Sequence, residues 1–131
     1  MATLQHVAPI LPTADPDAMR AHYEALGFEV HVHQGGYATA ARDGVRIHFK
    51  HVPGLARTAS HTEAISEPGE GPGAIYLAVD DAAALHTEWR AAGVGETGDL
   101  FDPGFGVHEA AHTDADGNLL RFGSPLPSIE A

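Results

Sequence analysis

No cysteine occurs in the chain. Disulfide frameworks, thiol nucleophiles and thiolate metal centres are thereby excluded, and a cytoplasmic protein is expected. Basic residues are scarce: seven Lys and Arg stand against 18 Asp and Glu, a net charge of -11. That balance disfavours nucleic acid and anionic membranes as partners and attracts cationic ligands at long range, although it also serves plain solubility. No apolar run reaches the roughly 20 residues that cross a bilayer. Met1 to Leu11 has no basic start and no long apolar segment, so no signal peptide is expected.

What is present is a repeated pattern. With 131 residues, 44% of them hydrophobic, the chain fits one domain over 1–131, which buries roughly two-thirds of its unfolded surface. Val107 to Thr113 can run extended, Asp116-Gly117 supplies a tight turn, and Leu119 to Gly123 alternate as a strand that Pro125 ends. The same hairpin stands earlier, with Tyr37 to Arg42, a turn at Asp43-Gly44, and Val45 to Lys50. DGVRIHF (Asp43 to Phe49) and DGNLLRF (Asp116 to Phe122) match at Asp, Gly, a branched apolar residue and Phe.

The preceding segments repeat as well. Gln5 to Leu11 reads as a strand, with Pro9 inside it marking an edge, bulge or crossing. Asp15-Pro16 starts a helix carrying Met19, Tyr23 and Leu26, which Gly27 closes. Phe28 to His33 is a second strand, followed by a turn at Gly35-Gly36. In the later half, Ala74 to Val79 is a strand, Asp80-Asp81 caps a helix carrying Leu85, Trp89 and Ala92, Gly93 closes it, and Glu96 to Phe101 is extended. Between the halves, His51 to Gly73 is rich in Pro, Gly and Glu and reads as a long connection with a helical turn near Gly54 to Thr62. Each half is thus β-α-β-β-β, an internal duplication: a first module over 4–52, a connecting loop over 53–73 and a second module over 74–125.

HYEALGFEV (His22 to Val30), RDGVRIHF (Arg42 to Phe49), IYLAVDD (Ile75 to Asp81) and the terminal hairpin DADGNLLRF resemble the vicinal oxygen chelate superfamily. This is the group of glyoxalase I, extradiol dioxygenases and bleomycin resistance proteins. The opening LQHVAPIL, with Pro9, is most similar to the bleomycin resistance branch. The resemblance covers about Leu4 to Pro125. It implies an α+β fold in which two βαβββ modules form a curved mixed sheet around a cup, and a homodimer with an exchanged N-terminal strand.

Catalytic members hold a divalent metal such as Fe, Mn, Zn or Ni on four strands. The matching positions here are His6, His48, Ala74 and Arg121. His6 and His48 are weak candidates for ligands, whereas alanine has no donor atom and arginine would set a fixed positive charge beside the ion. The resemblance therefore implies no metal and no cofactor: a binding protein that sequesters a bleomycin-like antibiotic and makes or breaks no bond. A metal-dependent glyoxalase, lyase or dioxygenase-type enzyme with an altered ligand set is the alternative, and a binding module without drug specificity a third.

In the drug-binding branch a flat heteroaromatic tail stacks between aromatic rings in the dimer crevice. Tyr37 falls on the first stacking position, Phe105 near the second, and Glu109 on the glutamate of the same motif. The alternative is that both rings are ordinary sheet aromatics. The family register would also point His6, Arg46, His48, Tyr76 and Arg121 into the cup. The arginines favour an anionic or carbonyl-bearing ligand, unless Glu109 pairs with one of them. His31 and His33 share a strand face and read as half-exposed polar residues. His22, His86 and His112 read as surface or helix-face residues, and nothing singles out His51 or His61.

Overall fold

A computed structural model describes residues 1–55 and 72–126. The chain runs β1 (Ile10–Thr13), α1 (Pro16–Ala25), β2 (Glu29–Val32), β3 (Ala38–Arg42), β4 (Val45–His51), β5 (Ala74–Ala78), α2 (Ala82–Ala92), β6 (Glu96–Thr97), β7 (Val107–Thr113) and β8 (Leu119–Pro125). Two four-stranded mixed sheets result, ordered β1-β4-β3-β2 and β5-β8-β7-β6. In each the first strand lies parallel to the last and the remaining pairs are antiparallel. This is the α+β architecture that the repeated pattern implies. Most of the connection between the halves, with His61, lies outside the described residues.

Local chemistry sets the boundaries. Asp15 Oδ1 accepts hydrogen bonds from the N–H groups of Asp17 and Ala18, and Pro16 takes the first helical position, where its missing N–H costs nothing. Asp81 caps α2 through the Ala84 N–H. The β3–β4 turn places Asp43 at φ 51° and Gly44 at φ 82°, the doubly left-handed pair of a type I′ hairpin.

Both helices lie between the sheets. On α1, the Tyr23 ring packs 4.8 Å from that of Phe49 on the first sheet. The neighbouring His22 meets His112 on the second. On α2, Trp89 stacks edgewise on Phe122 and His112, while its indole N–H donates to Leu26 O at the end of α1. One core follows, joining Met19, Tyr23, Ile47 and Phe49 to Trp89, Leu120 and Phe122. Burial of each such side chain contributes roughly 1.5–3 kcal/mol.

Three expectations need correction. The first strand begins at Ile10, not Gln5, and residues 5–9 lie outside any strand. Pro9 therefore precedes β1; its carbonyl accepts from the His48 N–H, but it has no N–H to return. The extended run from Glu96 shrinks to Glu96–Thr97, with an isolated bridge from Phe101 to Glu109. Pairing with β7 shifts by one residue between Thr97–His112 and Phe101–Glu109, so the ladder is interrupted where the extra residue sits. Finally, His22 and His112 are not surface residues: they are 5% and 0% exposed. Their Nε2 atoms lie 2.8 Å apart in the seam between the modules, and His112 Nδ1 is 2.8 Å from Thr97 Oγ1.

Burial lowers the His22 pKa to about 4, a shift that the negative charge of Asp116 partly offsets. The unfolded chain, near 6.5, then binds a proton that the folded chain refuses between these values. Stability should fall as pH drops from 6.5 towards 4, by on the order of 2–4 kcal/mol. Urea unfolding at pH 7 and pH 4.5 checks this. The wild type should lose more stability than His22→Gln, and equal losses would contradict the assignment.

Candidate functional site

Strand alternation gives each sheet one face on the side away from the helices. On β4, Ile47 and Phe49 enter the core, so Arg46, His48 and Lys50 stand on the other side. The register places Thr39 beside His48 and Ala41 beside Arg46, with Ile10 and Pro12 of β1 across from His48 and Lys50. On the second sheet, Leu120 and Phe122 enter the core, and Arg121 and Gly123 share the opposite face with Tyr76, Glu109 and Ala111; there Tyr76 is exposed and Arg121 partly so, while Glu109, Ala111 and Gly123 are buried. Because the helices occupy the space between the sheets, the two open faces point away from each other.

Each face carries a bonded polar group. Tyr37 Oη lies 2.7 Å from His48 Nδ1, with the rings edge to face at 5.6 Å. This contact holds the imidazole in place and leaves Nε2 available. On the second face, Tyr76 Oη donates to Glu109 Oε1 at 3.1 Å, and Arg121 Nη2 donates to Glu109 Oε2 at 3.3 Å. Glu109 is only 4% exposed, so its carboxylate organises Tyr76 and Arg121 more than it faces solvent. Desolvation first, then the bond to Glu109, pushes the Tyr76 phenol above its usual value.

Gly123 permits this arrangement. A Cβ built there would collide with Tyr76 Oη and crowd Glu109 Cγ. The missing side chain is the notch in which the phenol lies.

The expected site residues thus fall into two groups. Tyr37, Arg46 and His48 belong to the first sheet, and Tyr76, Glu109 and Arg121 to the second. Phe105 precedes β7, is 68% exposed, and has no ring partner among the described residues. Among the described residues, no hydrogen bond, ion pair or ring contact joins the two groups within the chain. His6 lies in the exposed N-terminal arm, away from any strand. The residues do not fit a four-ligand metal centre: Ala74 offers no donor atom, and Arg121 brings a guanidinium that is already engaged with Glu109. Gly123, Thr39 and Lys50 escaped the sequence reading. Alternation from His48 places Thr39 and Lys50 on the same face, and a glycine inside a strand is the usual sign of a close approach.

A cleft of about 390 Å³ lies elsewhere, at the seam between modules. Phe28, Val45, Leu77 and Trp89 are among its apolar lining, and Asp43, Asp80, Asp81 and Glu88 among its acids. It contains none of the expected site residues.

Parallel first-and-last strands in two successive four-stranded sheets narrow the choice of fold family. The model of the Glyoxalase/Bleomycin resistance protein/Dioxygenase superfamily matches residues 3–122. The chain belongs to this superfamily. Its sequence is 29% identical over 121 residues to a bleomycin resistance protein of Klebsiella pneumoniae, covering 87% of each chain. Its fold is similar to the crystal structure of a bleomycin resistance determinant encoded on the transposon Tn5, with a TM-score of 0.77 and 27% identity over 93% of this chain and 98% of that one. A bleomycin-binding protein complexed with bleomycin gives a TM-score of 0.76 and 26% identity, over 92% and 98%. The superfamily holds binders and enzymes alike, so the side chains of this member must choose between them.

The Gly123 notch makes a spectroscopic prediction. In Gly123→Ala the Tyr76 phenol leaves its niche, so its titration, followed by ultraviolet difference absorbance, should move down towards the ordinary value near 10. Glu109→Gln should move it the same way without the clash. An unchanged titration in both variants would remove Tyr76 from the network.

Proposed function

We propose that this protein binds and sequesters a bleomycin-type antibiotic in the cytoplasm as a homodimer, without metal and without turnover. The observation carrying this reading is the pair of outward-facing half-sites in a chain whose bleomycin-resistance and bleomycin-binding relatives align over most of their length. A crevice using both faces must draw them from two chains: Tyr37 and His48 from one protomer, Tyr76, Phe105 and Arg121 from its partner. A flat aromatic ligand would stack between Tyr37 and Phe105, drawn in by the net charge of -11. Sequestration needs only tight, stoichiometric binding, and the absence of a fitting metal-ligand set favours it over lyase, isomerase or dioxygenase chemistry.

The N-terminal arm supports the dimer. Leu4 and Val7 are 99% and 88% exposed, and the parallel pairing of β1 with β4 stops at Ile10 opposite His48. Extending that register backwards puts Ala8 opposite Arg46, so the arm of a second copy can pair along the edge that this one leaves open. Light scattering at micromolar concentration should give twice the chain mass, and deletion of residues 2–8 should weaken the dimer. A strict monomer would dismantle the crevice.

Calorimetry with bleomycin tests the site. Stacking adds on the order of 0.5–1.5 kcal/mol per ring beyond area burial, so Tyr37→Ala and Phe105→Ala should each weaken binding about tenfold or less, and the double variant more. Dialysis against EDTA should leave binding unchanged. Loss of binding on chelation, with recovery on adding Fe, Mn, Zn or Ni, would favour the enzyme reading. No heat with bleomycin at any concentration would end the antibiotic assignment.

A further inference from the structure

The described cations are distributed unevenly. Arg20 pairs with Glu24, Arg42 with Glu88 and Asp43, Arg90 with Asp99 and Arg121 with Glu109. Arg46 and Lys50, the chain's only lysine, have no ion pair among the described residues. Both are exposed, and both stand on the open face of β4 with His48 between them. Residues two apart on a strand are separated by about 6.5–7 Å, so the three form a row about 13 Å long. An opposite charge directly across the sheet would stabilise such residues. Here the neighbours across the sheet are Ala41 beside Arg46 and Pro12 beside Lys50. Glu29 is the one acid among the described strand residues of that face, and His31 is bonded to it at 3.0 Å. Thr39, within 3.3 Å of His33, adds a hydroxyl next to His48.

The face is therefore rich in donors and poor in acceptors, inside a strongly acidic chain. Two exposed cations without an acidic partner on this face give an oxyanion direct ion-pairing groups that no carboxylate of the described residues already occupies. Exposed Ile10, opposite His48, supplies an apolar surface at the same place.

We propose that the Arg46–His48–Lys50 row of the first sheet is a recognition site for the oxyanion of a flat aromatic ligand: a carboxylate, sulfonate or phosphate ester held by Arg46 and Lys50, with its ring against Ile10 and the Tyr37–His48 pair. Arginine can grip such a group with two parallel donors, and lysine adds a point charge. This site selects charge opposite to that favoured by the chain as a whole. It does not depend on the antibiotic reading.

The test uses matched naphthalene probes on the full-length protein: 2-naphthalenesulfonate, the oppositely charged 2-naphthylmethylammonium, and inorganic sulfate. At 150 mM salt the sulfonate should bind at least about fivefold more tightly than the ammonium, and NMR shifts should centre on Arg46, His48 and Lys50. Arg46→Gln and Lys50→Gln, both surface changes, should each weaken sulfonate binding about two- to fivefold, and together they should abolish the preference. Sulfate should compete for the site at millimolar concentration. Tighter binding of the ammonium, an unchanged preference in the double variant, or failure of sulfate to compete would overturn the proposal. Bleomycin titrated onto wild type separates the two readings: a protein that keeps its anion preference yet ignores bleomycin loses only the sequestration reading.

Discussion

The carboxylate of Asp114 fastens the two modules together. It sits at the β7–β8 turn, where Oδ1 accepts from the N–H groups of Asp116 and Asn118, and Oδ2 accepts from Tyr23 Oη at 2.6 Å and Asn118 Nδ2 at 3.1 Å. The turn so held reaches into the first module twice more. Asp116 Oδ1 accepts from the Ala14 N–H, and Asn118 Nδ2 donates to Pro12 O. Burial raises the pKa of Asp114, and the bonds from Tyr23 and Asn118 oppose that shift. A buried charge is tolerated only when its acceptor sites are filled, and here filling them fixes the second module against β1 and α1. The helical layer, and hence the outward direction of both sheet faces, depends on this junction.

Orientation in turn decides what the superfamily scaffold can do in this member. On the first sheet, exposed Ile10, Arg46 and Lys50 can meet a ligand or a second chain, and on the second Tyr76 and Arg121 remain accessible beside buried Glu109 and Ala111. Tyr37–His48 and Tyr76–Glu109–Arg121 are both prearranged by internal hydrogen bonds, so little side-chain freedom is left to lose on binding. The seam cleft, by contrast, has an acidic rim and lies apart from these groups.

Much of this was legible in the sequence because it is local. Asp15-Pro16, Asp43-Gly44 and Asp116-Gly117 declare helix starts and turns through backbone chemistry that needs no distant partner, and alternation places Arg46, His48, Tyr76 and Arg121 on the open faces. What could not be read depends on partners far along the chain. His22 and His112 are 90 residues apart, and nothing in HYEA or AAHT signals that their rings meet. Asp114 reads as an ordinary turn residue because its second role belongs to Tyr23, in the other half. The sixth strand was overestimated because the one-residue shift in its pairing with β7, between Thr97–His112 and Phe101–Glu109, is set by the partner strand and not by its own residues. The anticipated pairing of an arginine with Glu109 does occur, through Arg121.

The back-to-back placement of the open faces has a genetic consequence if crevices form between chains. Each crevice would take its first-sheet wall from one protomer and its second-sheet wall from the other. In a mixed dimer, one chain damaged at Tyr37 and another damaged at Phe105 would place both lesions in the same crevice and leave the second crevice wholly wild type. Two inactive alleles expressed together could then restore one intact crevice in each mixed dimer, whereas two lesions on the same sheet could not.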